Sequence, residues 1–138
     1  MSDAASEQAV RATYAAYLAA FQQDDAADAI LPFFQTPCLL LAPQGDRVIG
    51  SAEELRQIFA AMKARLRALD YGHSEIRDMS VRLLSAELAA ISLCALRYDR
   101  AGRELERLGC FYLMRQSGGR WRFVQLAMHD ADRLLCLA

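Results

Sequence analysis

The sequence predicts one soluble α+β domain in which three helices, all in the first half of the chain, pack on one face of a sheet. The chain has 138 residues, a length that suits one domain better than two. Apolar residues recur at helical spacing in the first half, whereas everything after Gly72 divides into strand-like segments separated by turn signals. Helices that precede a run of strands are typical of α+β layer packing.

The first two helices follow from apolar spacing and from an acidic break. A helix from about Ser6 to Gln23 has one apolar face, formed by Val10, Tyr14, Tyr17, Leu18 and Phe21. Asp24 or Asp25 can cap a short second helix from about Ala26 to Phe34. Pro32 lies inside that segment, so we expect a kink or an early end there.

The third helix has the clearest start. Ser51 and Glu54 match the capping box, in which each side chain accepts from a free backbone donor of the other residue. The helix should end near residues 70–72, and its apolar stripe consists of Leu55, Ile58, Phe59, Met62, Leu66 and Leu69. We interpret the basic residues Lys63, Arg65 and Arg67 as its solvated face.

A small hairpin and a four-strand meander account for the other elements. The turn Pro43–Asp46 separates a short strand over Cys38–Ala42 from another over Arg47–Ile49. The meander strands are predicted at about His73–Leu84, Leu88–Asp99, Arg103–Gln116 and Arg120–Met128. The strongest of their turn signals is Gly118–Gly119. Residues 130–138 are predicted as a frayed turn or a short helix.

Charge and hydropathy argue against two classes of partner. The formal net charge is -1 and both signs are interspersed, so no basic block is present to neutralise the phosphates of a nucleic acid. No positive charge precedes an apolar run at the N-terminus, and the apolar runs are too short to span a bilayer. We therefore expect a cytoplasmic protein with neither a nucleic acid nor a membrane as partner.

The cysteines and histidines form no metal or cofactor motif. Cys38, Cys94, Cys110 and Cys136 are widely spaced, which favours reduced thiols in a core over a disulfide framework. The two histidines are 56 positions apart, so we expect no metal site. The sequence has neither a glycine-rich phosphate loop nor a G-x-S-x-G elbow, and we expect no cofactor.

Four local patterns occur in an order that resembles a known superfamily. They are Tyr14 and Tyr17 before the acidic turn 22–25, Phe33–Phe34 before a strand, the segment Val48–Leu55, and the turn and strand start Gly118–Phe123. With this order and spacing, the chain resembles the nuclear transport factor 2-like superfamily over roughly residues 6 to 130. The similarity is greatest to the SnoaL-like and ketosteroid isomerase-like branches.

The resemblance implies a cystatin-like cone, in which a curved, mixed or antiparallel sheet wraps around three N-terminal helices. Its open end would hold a pocket for a small hydrophobic molecule, and two copies would form a homodimer through the outer sheet face. The implied function is a small-molecule-binding domain. The alternatives are a cofactor-independent isomerase, dehydratase or cyclase, and a dimeric partner-binding module, because one fold hosts many functions.

The ketosteroid isomerase reaction itself is not expected. It needs a carboxylate base together with two acidic oxyanion donors. The resemblance puts Tyr17 at one donor position, the base at Leu41 or Ala42, and the second donor near Cys110. Neither Leu41 nor Ala42 can accept a proton, so we reject that reaction.

Strand alternation predicts which side chains face the helices. The set Leu108, Cys110, Tyr112 and Met114 holds no charge and is predicted to face inward, which leaves Phe111 and Leu113 outside, where they suit a dimer interface. In the final strand the predicted inward set is Trp121, Phe123, Gln125, Ala127 and His129. The two faces of residues 91–98 are almost equally apolar, so neither is assigned.

Ten residues are the resulting site candidates. The ligand-binding set is Tyr14, Tyr17, Cys110, Tyr112, Met114, Trp121, Phe123 and Gln125, and the two candidate bases are Asp78 and His129. Asp78 would be a buried base only if its strand face is concave, and otherwise it is a surface charge. Tyr14 and Tyr17 are either pocket donors or amphipathic core residues, and His129 is either a base or an exposed residue at the end of a strand.

Two further pairs have both a functional and a structural interpretation. His73 and Glu75 share a strand face, where they are either a dyad or a solvated strand start. Arg97 and Arg107 either bind a ligand carboxylate or cover the sheet with their stems.

Overall fold

The computed structural model describes residues 2–23 and 27–137. Its helices are α1 (Asp3–Phe21), α2 (Ala27–Ile30) and α3 (Ala52–Ala68), and a 3₁₀ turn over Leu31–Phe33 follows α2. Its strands are β1 (Phe34–Ala42), β2 (Gly45–Ile49), β3 (Tyr71–Ser85), β4 (Leu88–Asp99), β5 (Glu104–Ser117) and β6 (Arg120–His129). The predicted order of helices and strands is confirmed.

The strands form one six-stranded sheet in the order β2-β1-β6-β5-β4-β3. Strand β1 runs parallel to β6, and every other neighbouring pair is antiparallel. The sheet is curved and stays open between β2 and β3. This mixed, curved sheet leaves a concave inner face, against which α1 and α3 pack, and a convex outer face.

The core lies between the helices and the inner face of the sheet. Its fully buried members include Val10 from α1, Leu55 from α3, and Ile91, Met114 and Phe123 from the sheet. Alternation along β4 places Ala89, Ile91, Leu93 and Ala95 in this core, together with the inward side chain of Arg97. The structure thus assigns the faces of β4, which apolarity alone left open.

Helix ends follow the local sequence signals. The Ser51 hydroxyl accepts from the backbone N–H of Glu54 at 3.2 Å, as the capping box predicts. Pro32 lies in the 3₁₀ turn, where the helical run ends and β1 begins at Phe34. The first strand is therefore longer than predicted, and the second helix is shorter. The predicted caps Asp24 and Asp25 lie outside the described residues.

The interpretation of Lys63 as a solvated residue is wrong. Its side chain is buried, and the ammonium group donates to the backbone carbonyls of Phe21 and Gln23. These carbonyls lie at the C-terminal end of α1, where a cation is favourable because the carbonyl dipoles point outward. Lys63 therefore joins α3 to α1, whereas Arg65 and Arg67 are exposed as predicted.

A β-bulge in β6 overturns part of the predicted inward face. Met114 pairs with Phe123 but Leu113 pairs with Gln125, so Val124 is an extra residue in the ladder. Trp121 and Phe123 face the core, but beyond the bulge Leu126 and Met128 take that face. Gln125, Ala127 and His129 are aligned with the outward residues of β5, so their predicted inward orientation is wrong.

The C-terminal segment contains a turn, one of the two predicted alternatives, and it has no helix over residues 130–137. After a turn at 131–132 it runs without helical structure along the outer face of β3 and β4. The backbone N–H of Leu135 donates to the Ser92 hydroxyl at 3.2 Å, and that of Leu137 donates to the Ser80 hydroxyl at 3.1 Å. These bonds give the hydroxyl groups of Ser80 and Ser92 hydrogen-bond partners on the outer face of the sheet, against which no helix of the described residues packs.

Candidate functional site

Aromatic rings fill the narrow part of the cone. Phe123 lies at their centre, with ring centroids 4.9 Å from Tyr17, 4.9 Å from Tyr112 and 5.1 Å from Phe34. Tyr14 closes the cluster, and its hydroxyl lies 3.5 Å from that of Tyr112. Burial raises the pKa of Tyr14, Tyr17 and Tyr112 well above the ordinary tyrosine value. These phenols therefore stay protonated, as hydrogen-bond donors and acceptors in a packed interior.

Most of the predicted ligand-binding residues belong to this packed interior. Met114, Trp121 and Phe123 are buried in the core. Tyr14, Tyr17, Cys110 and Tyr112 border a cavity of about 30 Å³, which has room for water but not for an organic ligand. Their predicted contact with a ligand stays a prediction, since the main cavity lies elsewhere.

The main cavity lies at the open end of the cone and measures about 740 Å³. One wall is the face of α3 that carries Ile58, Ala61, Met62 and Arg65, and the opposite walls come from β1, β4, β5 and β6. Its apolar lining includes Leu40, Ile58, Met62, Leu108 and Met128. The volume is in the range typical of small-molecule sites.

An ion cluster lies inside this cavity. Arg97 Nη1 donates to Glu106 Oε1 at 2.8 Å, and Arg65 Nη2 donates to the same oxygen at 2.9 Å. The side chain of Arg97 is only 9% exposed, against 25% for Glu106 and 50% for Arg65. The cluster therefore extends from the buried floor of the cavity to its solvent-exposed edge on α3.

On the side away from Glu106, the guanidinium group of Arg97 contacts a ring and a thioether. Its guanidinium carbon lies 5.3 Å from the centre of the Phe21 ring, and its Nη2 is 4.0 Å from the Met62 sulfur. A thioether is a weak acceptor, so Nη2 has a poor partner for a charged donor. Arg97 borders both the main cavity and the small tyrosine-lined cavity, and it separates the two.

Glu106 is a weak base in this setting. Burial by itself would raise its pKa, but the hydrogen bonds from Arg65 and Arg97 outweigh burial and leave the pKa below the ordinary glutamate value. A carboxylate held in this way is anionic at neutral pH and accepts a substrate proton reluctantly. The cluster is better suited to holding charge in place than to moving protons.

The candidate base Asp78 does not meet Tyr17. Asp78 is exposed at a bulge of β3, where its φ is 55°, and it borders an outer-face cleft with Cys94 and Arg107. Strand alternation predicts that Asp78 shares a face with Ile76, which packs against the core. The bulge interrupts that alternation, so Asp78 does not lie on the face of Ile76. Tyr17 is buried on the inner side of the sheet, so no Tyr17–Asp78 pair forms.

His129 occupies the rim between the main cavity and the outer cleft. Its ring lies over Gly109, where an added Cβ would come within 2.3 Å of ring Cε1 and 2.7 Å of the Asp130 carbonyl oxygen. His129 Nδ1 donates to that carbonyl at 2.9 Å. The backbone of Asp130, rather than its carboxylate, therefore orients the ring, and Gly109 provides the space for it.

Neither of the other two candidate pairs, His73 with Glu75 and Arg97 with Arg107, lies together at one site. His73 stacks on Tyr98 with ring centroids 5.1 Å apart, while Glu75 forms an ion pair with Arg77. His73 and Glu75 therefore form no dyad, and their exposure at the start of β3 agrees with the other interpretation, a solvated strand start. Arg107 lies on the outer side with Glu104, so of the two candidate arginines only Arg97 borders the main cavity.

Two negative findings apply to residues 2–23 and 27–137. No group of three or more histidine, cysteine, aspartate or glutamate side chains there could hold a metal ion. No helix in the same ranges is long and apolar enough to cross a membrane.

The fold and the open cavity define a protein of the cone-shaped, cystatin-like class. More specifically, the chain belongs to the family described as NTF2-like protein (DUF6841), whose model matches residues 6–131. The predicted superfamily and cone fold are thereby confirmed. No curated protein matches the sequence.

Solved structures share this fold at low sequence identity. A ketosteroid isomerase-like protein from Erwinia carotovora atroseptica is 19% identical, with a TM-score of 0.68 over 89% of this chain and 94% of that chain. An NTF2-like protein with a cystatin-like fold from Novosphingobium aromaticivorans is 13% identical, with a TM-score of 0.73 over 91% and 81%. A protein of unknown function from Nostoc punctiforme is 16% identical, with a TM-score of 0.71 over 88% of both chains.

Proposed function

We propose that this protein binds a small molecule with a large apolar part in the cavity at the open end of its cone. The observation that carries the proposal is a cavity of about 740 Å³ in which an apolar wall, including Ile58, Met62 and Leu108, lies beside the ion cluster of Arg97, Glu106 and Arg65. That combination is typical of small-molecule sites. The packed tyrosine interior lies deeper in the cone, and it limits the ligand to the open end.

The enzymatic alternative, a cofactor-independent isomerase, dehydratase or cyclase, has less support. Acid–base catalysis needs a donor and a base near one reacting atom. Tyr17 is buried in the aromatic cluster, Asp78 is exposed on the outer face, and the carboxylate of Glu106 is held anionic by two arginines. The ketosteroid isomerase-like neighbour shares the fold, which by itself does not determine chemistry.

Blocking the cavity tests the proposal. Ala61 borders the cavity from α3, so the substitution Ala61→Trp should fill part of it and abolish binding of an apolar probe. We would titrate phenylnaphthylamine, whose fluorescence rises in apolar surroundings, and expect at least about a tenfold weaker affinity in the variant. The matched control is Ala60→Trp, at an exposed position of the same helix that borders no described cavity. Equal binding to both variants and to the wild type would contradict the proposed site.

We further propose that two copies pair through the outer sheet face. The same face would be the binding surface if the protein is a dimeric partner-binding module. Phe111 and Leu113 face outward and are half-buried in the single chain, beside the C-terminal segment. Phe111→Lys should shift a dimer to monomer in native mass spectrometry, because a buried ammonium group has no partner there. Val48→Lys, at an exposed position of β2, is the control. A monomeric wild type would contradict this pairing.

A further inference from the structure

We infer that the ligand is an amphipathic organic anion whose carboxylate binds Arg97 and Arg65 while its apolar body lies along Met62, Leu108 and Met128. This inference rests on the proposed function, because it names the ligand class for the same cavity. It comes from three features of the cavity: the positive charge of its lining, the weak hydrogen bond of the buried Arg97 Nη2, and the apolar wall beside Arg97.

The charged lining of the cavity carries an excess of positive charge. Three arginines and two carboxylates border it: Arg47, Arg65, Arg97, Asp46 and Glu106. Three positive and two negative side chains leave these five residues with a sum of one positive unit, although the whole chain has a formal net charge of -1. The sign of this local charge is opposite to that of the whole chain, and it favours an anion in the cavity.

The buried guanidinium has an unused capacity for hydrogen bonding. Arg97 Nη2 donates to the Met62 sulfur at 4.0 Å. One oxygen of Glu106 accepts from both arginines, so a single carboxylate is shared by two cations. A second carboxylate would balance the cluster and would give Nη2 an oxygen acceptor, which forms a much stronger bond than a thioether.

The apolar wall lies beside this donor. Met62 contacts Arg97 directly, and Leu108 lies two positions from Glu106 on β5, so the two side chains share the inner face. Met128 borders the same cavity from β6. A ligand with its acid group at Arg97 would therefore extend its hydrocarbon part over these side chains towards the open end.

Glu106 sets the strength of this binding. An incoming carboxylate would lie near the anionic Glu106 side chain, and two like charges repel. The second guanidinium, from Arg65, offsets part of that repulsion. Removing the negative charge without changing the shape, as in Glu106→Gln, should therefore strengthen anion binding while leaving the binding of a neutral analogue unchanged.

The test compares octanoate with octanol, which have the same chain length and differ in the carboxylate. Each displaces phenylnaphthylamine from the wild type, and the octanoate-to-octanol preference is measured for each variant. We expect Arg97→Met to reduce this preference by at least about tenfold, because a charge-assisted hydrogen bond is lost. Arg107→Met, an outer-face arginine paired with Glu104, should leave the preference unchanged.

Two further variants keep the inference testable if Arg97→Met fails to fold. Arg65 is half-exposed on α3, so Arg65→Met should remain folded and reduce the preference by roughly threefold or more. Glu106→Gln should raise the preference by about the same factor, a gain that damage to the fold cannot produce.

The outcomes distinguish the anion inference from the proposed function on which it rests. Equal preference in the wild type and in all three cavity variants would overturn the anion inference and leave the apolar site standing. Absence of phenylnaphthylamine binding to the wild type would overturn the proposed function, and the anion inference with it.

Discussion

The substitution Phe123→Ala should lower the free energy of unfolding by about 3–5 kcal/mol, the range for removing a buried aromatic ring from a core. Phe123 is fully buried, and it contacts the rings of Tyr17, Phe34 and Tyr112. Those rings come from α1, β1 and β5, so the surroundings cannot close around the lost volume without moving three elements. Urea unfolding, followed by the fluorescence of the single tryptophan Trp121, would measure the change.

The control for this prediction is Val48→Ala, which truncates an apolar side chain at an exposed position of β2. Val48 is 72% exposed, so we expect a loss of at most about 0.5 kcal/mol. A loss for Phe123→Ala no greater than that for Val48→Ala would contradict the placement of Phe123 at the centre of the core. A retained fold with increased phenylnaphthylamine binding would place a new apolar cavity there.

The element order was predictable because each signal is local. Ser51 with Glu54 defines the start of α3, and Pro32 defines where the second helix gives way to a strand. The inward set on β5 was also predictable, since an unbroken strand alternates regularly and Leu108, Cys110, Tyr112 and Met114 hold no charge. The parallel contact between β1 and β6 joins distant segments, and no local pattern indicates it.

β-Bulges explain why the predicted sheet face is wrong for several residues. A bulge adds one residue to one strand, which reverses the facing of every residue beyond it. The extra residue Val124 moved Gln125 and His129 to the outer alignment, and the bulge at Asp78 separated it from Ile76. Neither position carries a glycine or proline that would indicate a bulge, so alternation gave the wrong face.

The main cavity was only partly predictable. Arg97 is one of two arginines that the sequence offers as partners of a carboxylate, but the sequence leaves its facing open because the two faces of β4 are almost equally apolar. Glu106 and Leu108 are separated from α3 by a long stretch of chain, so their approach to Met62 and Arg65 is a tertiary property. The aromatic residues of the predicted ligand-binding set lie in the core, which is the usual position of large apolar side chains.

The substitution Glu106→Gln should destabilise the protein by about 2–3 kcal/mol at neutral pH. It leaves the guanidinium of Arg97 buried without an anionic partner, and removing one member of a buried pair is costly. The 25% exposure of Glu106 and the 50% exposure of Arg65 keep the effect below that of a fully buried pair. Urea unfolding of both proteins at pH 7 would measure it. As the control, Glu104→Gln breaks an exposed pair with Arg107 and should cause little change.

The pH dependence of this effect has a definite sign. The pKa of Glu106 is lower in the folded protein than in the unfolded chain, so its ionised form stabilises the fold above the ordinary glutamate pKa of about 4.3. This contribution is lost as the pH falls through the lower, folded-state pKa. The difference in stability between wild type and Glu106→Gln should therefore be full at neutral pH and narrow under acid conditions. A difference that stays constant down to low pH would mean that the glutamine disturbs packing rather than charge, and it would remove the electrostatic basis for an anion site at Arg97.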